Sequence, residues 1–63
     1  MTTRIYFKDE QQLVLHNVIR SMILTDLDGK PYKLFVEFVN ERKIIEERTY
    51  RINDIKMISN WSD

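Results

Sequence analysis

The chain has 63 residues, with ten basic and ten acidic side chains, a formal net charge of zero, no cysteine and one histidine. This composition excludes disulfides, thiolate metal sites and histidine-rich metal sites, and it lacks the basic excess typical of nucleic-acid binders. A chain this short forms a single small domain, residues 1–63, and needs good packing or self-association for stability, which favours a homodimer.

Local composition favours strands and gives no sign of a membrane span or an export signal. Alanine, the best helix former, is absent, whereas Ile, Val, Thr, Tyr and Phe are abundant. No apolar run approaches the ~20 residues that a spanning helix needs, and residues 1–10 contain no apolar signal segment. We therefore expect a soluble, cytoplasmic protein.

Residues 3–8 predict the first strand, because apolar Ile5 and Phe7 alternate with polar neighbours. Residues 9–11 are polar and predict a turn, although neither glycine nor asparagine stands where a tight hairpin favours one.

Residues 12–25 support two interpretations. Apolar pairs separated by polar pairs would form one stripe on a helix, which Asp9 would cap. Alternatively, four β-branched residues favour two strands, 12–15 and 18–25, with a bend at His16 and Asn17 and a bulge in the second strand. Periodicity alone does not separate these interpretations.

Residues 26–31 predict a loop, since they hold the only glycine and the only proline. Residues 33–40 and 44–52 predict a β-hairpin around a turn at residues 40–43. On its first arm, Leu34, Val36 and Phe38 share one face, and Phe35, Glu37 and Val39 share the other. Asn53 and Asp54 predict a tight turn before a last short strand, residues 55–59.

Two segments, IYFKDEQQLVLHNV at the start of the sequence and TYRINDIKMI near its end, resemble parts of a family of short, mostly uncharacterised β-rich single-domain proteins of Gram-positive bacteria and their phages. The opening IYFKDEQQLVLHNV is similar to their first hairpin, which ends a strand on Phe-Lys-Asp and closes on Asn-Val. The ending TYRINDIKMI is similar to their closing segment. Those hairpins usually carry glycine after the aspartate, whereas Glu10 stands here. The resemblance implies strands for residues 12–25 and brings no catalytic residues.

The predicted fold is therefore all-β: a small antiparallel curled sheet or an SH3-like barrel of four to five strands. The alternative is an α+β fold, βαββ, in which residues 10–25 form one helix packed across the sheet.

No constellation in the sequence predicts an enzyme, a metal site or a cofactor. His16 is the one side chain that titrates near neutrality, but no second catalytic group accompanies it. Asp26, Asp28 and Gly29 echo a calcium loop, yet the glycine and the final glutamate have the wrong spacing, so they predict a turn instead.

Two surfaces predict binding. An apolar strip on the outer face of the sheet predicts a non-enzymatic protein-interaction module, and its interface residues are Phe35, Val39, Ile45 and Trp61. The expected partner is a second copy of the chain or a host protein. The resemblance implies an accessory protein of a phage or prophage. The alternative is a small nucleic-acid-binding β domain that uses a basic surface, Arg42, Lys43, Arg48 and Arg51.

Overall fold

The computed structural model describes residues 1–62, which contain six antiparallel strands and no α-helix. A single turn of 3-10 helix, Ile52–Asp54, connects the last two strands. The strands are β1 (Thr2–Phe7), β2 (Gln12–Leu15), β3 (Val18–Thr25), β4 (Pro31–Val39), β5 (Ile45–Arg51) and β6 (Ile55–Trp61). The prediction of a small all-β fold is confirmed. No helix among these residues is long and apolar enough to cross a membrane.

The strands form two three-stranded sheets, in the orders β2-β1-β6 and β3-β4-β5. These sheets do not close into a barrel, so the SH3-like barrel is not the form that the fold takes. There are six strands rather than four or five, and the breaks at His16 and Asn17 and at Ile52–Asp54 lie where the sequence predicted a bend and a tight turn.

The break at Asn17 settles the structure of residues 12–25 and makes the helical βαββ alternative wrong. Asn17 has a φ of 56°, a left-handed conformation that asparagine tolerates better than most residues. The chain before it pairs with β1 and the chain after it pairs with β4. The predicted bulge is also present, between Val18 and Arg20.

The hydrophobic core lies between the two sheets and receives side chains from both. The predicted inward face of β4 is confirmed. Each fully buried aliphatic side chain stabilises the fold by roughly 1.5–3 kcal/mol. The buried apolar residues are Ile5, Leu15, Val18, Leu34, Val36 and Phe38.

Three turns use side-chain oxygens as backbone acceptors. Asp9 Oδ1 accepts the Gln11 N–H at 3.0 Å, Asp26 Oδ1 accepts two N–H groups at 2.9 Å, and Asn40 Oδ1 accepts the Arg42 N–H at 2.9 Å. The Asp26 carboxylate therefore organises the predicted loop. In the first turn Glu10 has a φ of 72°, a left-handed conformation that glycine adopts at less cost than other residues.

Candidate protein-binding face and basic surface

The β3-β4-β5 sheet has one face on the core and one face that no other described element covers. Because side chains alternate along a strand, the residues between buried Leu34, Val36 and Phe38 point away from the core. Strand pairing then arranges this outer face in cross-strand rows. From one end of the sheet to the other, the rows are Leu24, Lys33 and Arg51; Met22, Phe35 and Thr49; Arg20, Glu37 and Glu47; and Val39 and Ile45.

The apolar members of these rows are substantially accessible. Ile45 is 59% exposed and Met22 is 42% exposed, while Phe35 and Val39 are half-buried. Three of the four predicted interface residues, Phe35, Val39 and Ile45, therefore share this outer face. Val39 and Ile45 are direct cross-strand neighbours.

A charged row divides the apolar strip, and this row by itself carries an excess of one negative charge. Glu37 and Glu47 stand directly opposite each other, an arrangement of like charges that destabilises a sheet. Arg20 pairs with Glu37 at 3.8 Å and its guanidinium lies 5.5 Å from the Phe35 ring centroid. One arginine therefore faces two carboxylates.

The structure separates Trp61, the fourth predicted interface residue, from the other three. Trp61 lies in β6 opposite Thr2, in the other sheet. The Arg4 guanidinium lies 5.6 Å from the Trp61 ring centroid and 6.0 Å from that of Tyr6. Trp61 thus packs within its own sheet and does not extend the strip around Phe35. The reason is that the last strand runs to Trp61 and pairs with β1, whereas the sequence predicted that it ends at residue 59.

The four residues of the predicted basic surface are also divided. Arg42 and Lys43 lie in the exposed β4–β5 turn. Arg48 is opposite Val36 and so belongs to the core side of β5, whereas Arg51 is opposite Lys33 on the outer side. Arg51 binds Asp54 at 3.1 Å. The four cations therefore do not form one patch.

Arg42, Lys43 and Arg48 do line a common groove, of about 770 Å³, beside the bend at His16 and Asn17. Two carboxylates, Glu41 and Glu46, line it too and offset all but one of its three cationic charges.

Arg48 is already engaged within this groove, since it binds Glu46 at 2.7 Å and lies 5.2 Å from the Phe38 ring centroid. The hydrogen bonds from Arg48 and Asn40 hold the pKa of Glu46 below its usual value. The groove thus offers two free cations, those of the turn, among the described residues.

His16 and the acidic side chains were the sequence's candidates for catalytic or metal chemistry. His16 is exposed, and its Nδ1 lies 3.4 Å from the Thr2 hydroxyl. The described chain brings no group of three His, Asp or Glu side chains together in a way that could hold a metal ion.

Sequence reasoning missed Met22, Arg20 and Glu47 as members of the outer face. Met22 and Arg20 belong to the stretch whose secondary structure was ambiguous, so their neighbours on β4 could not be assigned. Glu47 carried a usable signal: it stands two residues from Ile45 on the same strand, and residues at that spacing share a face.

No protein-family model, curated protein or solved structure matches this chain. Its function must therefore be inferred from its own geometry.

Proposed function

We propose that this chain is a non-enzymatic protein-binding module whose outer β3-β4-β5 face receives the partner. Following the resemblance to proteins of Gram-positive bacteria and their phages, the proposal extends to an accessory protein of a phage or prophage that acts on a host protein. The binding residues are Phe35, Val39 and Ile45, which were expected from the sequence, together with Met22.

One observation carries this proposal: residues 10–25 contain two strands, Gln12–Leu15 and Val18–Thr25, and no helix that could cover the outer face. A helix at that position would have made Phe35 and Val39 part of the core. Apolar side chains that share an uncovered face are typical of protein-interaction surfaces, which bury them when a partner binds.

The charges on this face suggest the chemistry of the partner. Glu37 and Glu47 share a single arginine, so the row has an excess of one negative charge. A partner that presents a lysine or arginine between apolar side chains would relieve the repulsion between the two glutamates and cover Ile45 and Met22 at the same time.

Nucleic-acid binding is less well supported than protein binding. Arg48 and Arg51 bind carboxylates of the same chain and lie on opposite sides of β5. A phosphate backbone would have to compete with Glu46 and Asp54 for these cations.

Site-specific photo-cross-linking in cells tests the proposal. A benzoylphenylalanine at position 45 should yield a covalent protein adduct of one discrete mass, and the same probe at exposed Asp28, in the loop before β4, should not. The charge reversal Glu47→Lys should abolish the adduct, because it replaces the repulsion between Glu37 and Glu47 with an attraction and so removes the negative charge that favours a basic partner. Glu41→Lys, the same charge change in the β4–β5 turn, should preserve it.

Three outcomes would overturn the proposal. No adduct above the level at position 28 would remove the binding face. If the adduct survives in Glu47→Lys, the proposed preference of the outer face for a basic partner is wrong. An adduct to nucleic acid, or oligonucleotide binding that weakens with salt and depends on Arg42 and Lys43, would replace protein binding with the basic-surface alternative.

A further inference from the structure

The β3-β4-β5 sheet has two edge strands, and they differ in how well they are protected. Edge strands usually carry charges that prevent pairing with another chain. Over its seven residues β5 has four charged side chains, Glu46, Glu47, Arg48 and Arg51. Over its eight residues β3 has one, Arg20. At its start the Val18 N–H donates to the Met1 carbonyl at 2.7 Å, so the part of the β3 edge that is open to another chain begins after Val18 and is nearly uncharged.

Strand β3 also exposes apolar side chains on both of its faces. Met22 is opposite Phe35 on the outer face, and Ile23, 52% exposed, is opposite Leu34 on the core face. Strand β6 is likewise an edge with a single charge, but its exposed apolar side chains, Met57 and Trp61, share one face. A strand added to β3 would bury apolar surface on both sides at once.

The hydrogen-bonding groups of β3 that face outward can be assigned from the ladder. The Val39 N–H donates to the Asn17 carbonyl at 3.0 Å, so the odd-numbered residues of β4 direct their backbone groups towards β3. Their partners there are Arg20, Met22 and Leu24. Since antiparallel pairs alternate, the N–H and C=O groups of Ser21 and Ile23 point away from β4, where the described chain has no further strand.

We propose that β3 pairs antiparallel with β3 of a second copy of this chain, about a two-fold axis at Met22. In this register Ser21 and the partner subunit's Ile23 exchange both backbone hydrogen bonds, and the symmetry repeats the exchange. The two sheets become one continuous six-stranded sheet with an isologous interface, in the order β5-β4-β3-β3-β4-β5. The inference concerns the edge of the sheet, and its pairing bonds do not involve Phe35, Val39 or Ile45, although Met22 belongs to both surfaces.

The side chains favour this register over one centred on Arg20. An axis at Arg20 would place two guanidinium groups opposite each other, which is unfavourable. An axis at Met22 places Arg20 opposite the partner's Leu24. This axis joins the Met22–Phe35 rows of the two copies into one apolar row. It also aligns the row of one copy that contains Glu37 and Glu47 with the row of the other copy that contains Lys33 and Arg51.

Sedimentation equilibrium across the soluble concentration range tests the pairing, with Ser21→Pro as the main variant. Proline removes the outward N–H of Ser21 without removing a β3–β4 hydrogen bond, and edge strands accept proline at such positions. The wild-type chain should dimerise, and Ser21→Pro should weaken dimerisation about tenfold or more, since two symmetry-related hydrogen bonds are lost.

Thr49→Pro is the matched control, because the Thr49 N–H faces outward on the other edge strand, β5. It should leave the dimer unchanged. Far-ultraviolet circular dichroism and thermal unfolding of both variants establish that each retains the β fold.

Cross-linking tests the register itself. Met22 lies opposite the partner's Met22 in a non-hydrogen-bonded pair, where Cα atoms are about 4.5 Å apart, within the range for a disulfide. The chain has no native cysteine, so Met22→Cys should give a disulfide-linked dimer on mild oxidation, whereas Thr49→Cys should not.

A wild-type chain that stays monomeric up to its solubility limit would overturn the inference, and so would a dimer that survives Ser21→Pro. A dimer in which Met22→Cys remains unlinked would overturn the register. If the chain is monomeric and still gives an adduct at position 45 that depends on Glu47, this inference fails and the proposed protein-binding function stands.

Discussion

The outer faces of the two sheets differ in how their apolar side chains are covered. In the β2-β1-β6 sheet one guanidinium, that of Arg4, lies over both Tyr6 and Trp61 and also donates to the Tyr6 hydroxyl at 3.2 Å. In the β3-β4-β5 sheet the Arg20 guanidinium lies over Phe35 alone. Val39 and Ile45 have no such cover.

This difference shows on which sheet the chain's own arginine covers the aromatic rings and on which sheet apolar surface is left for another molecule. Arg4 is half-buried, and its Nε is buried without a hydrogen-bond partner among the described residues, so it gives up hydration to cover the two rings. Arg20 remains largely in solvent. On the first face, here called closed, one guanidinium covers two rings, although Met57 and Trp61 remain 52% and 41% exposed. On the second face, called open, Phe35 alone has such cover.

Truncating the core side of the open sheet should have the largest effect. Leu34→Ala removes a side chain that is almost fully buried and should lower the free energy of unfolding by about 2–5 kcal/mol, a large part of the total for so small a domain. Urea unfolding followed by circular dichroism measures it. Ile45→Ala on the outer face is the control and should change stability by no more than ~0.5 kcal/mol.

Arg4, which covers two rings, should contribute more to the free energy of unfolding than Arg20, which covers one. Arg4→Ala should lower the free energy of unfolding by about 1–2 kcal/mol, since it removes packing on two rings, and Arg20→Ala by less than about 1 kcal/mol. Trp61 is the only tryptophan, so its fluorescence should shift in Arg4→Ala and stay constant in Arg20→Ala. Equal losses in the two variants would contradict the distinction between a closed and an open face.

The first turn of the closed sheet stores strain that glycine should relieve. Glu10 has a left-handed φ of 72°, so Glu10→Gly should raise the free energy of unfolding by about 1 kcal/mol.

The exposed Glu10–Lys56 ion pair, at 3.7 Å, is lost in that variant but contributes little, and Glu10→Gln isolates its effect. Gly29→Ala, at a φ of 82° with open space around the glycine, should show the opposite sign. Thermal unfolding of the three variants gives the comparison, and a stability loss in Glu10→Gly would contradict it.

The smallest expected effect is a pH dependence at the groove beside the open sheet. Hydrogen bonds from Arg48 and Asn40 lower the pKa of Glu46 from its ordinary value of 4.5. A group whose pKa is lowered by folding stabilises the folded chain at pH values above its pKa in the unfolded chain. This contribution is lost as the pH falls through its pKa in the folded chain. Below pH 4.5 the wild-type chain should therefore lose stability more steeply than Glu46→Gln.

Glu41→Gln, in the neighbouring turn, should follow the wild-type profile. Urea unfolding at a series of acidic pH values provides the measurement. Parallel profiles for Glu46→Gln and the wild-type chain would show that the hydrogen bonds of Glu46 do not persist in solution.

Most of the fold could be predicted from local patterns. The alternation along β4 was sufficient to assign Leu34, Val36 and Phe38 to the core, because a period of two has one buried face. The bend at Asn17 could only be proposed, since apolar pairs at positions 14–15, 18–19 and 22–23 suit a helical stripe as well as a kinked strand. Contacts with two different sheets, through β1 and β4, decided between them.

The site was less accessible to sequence reasoning, because it depends on register. Phe35 and Val39 share a face by spacing alone, but nothing in the sequence aligns Met22 with Phe35 or Glu47 with Glu37. Trp61 was assigned to the same surface because its strand partner was unknown. Pairing between distant strands, which follows from tertiary packing and turn geometry, thus limited the prediction.

The pairing of β1 with β6 has a consequence for the order in which the molecule folds. Thr2 is aligned with Trp61, so one ladder joins opposite ends of the described chain, whereas β3, β4 and β5 are joined by short turns. Closing the longer loop costs more chain entropy and slows folding. The β3-β4-β5 meander can therefore form before β6 pairs with β1, and its β3 edge is then available to other chains.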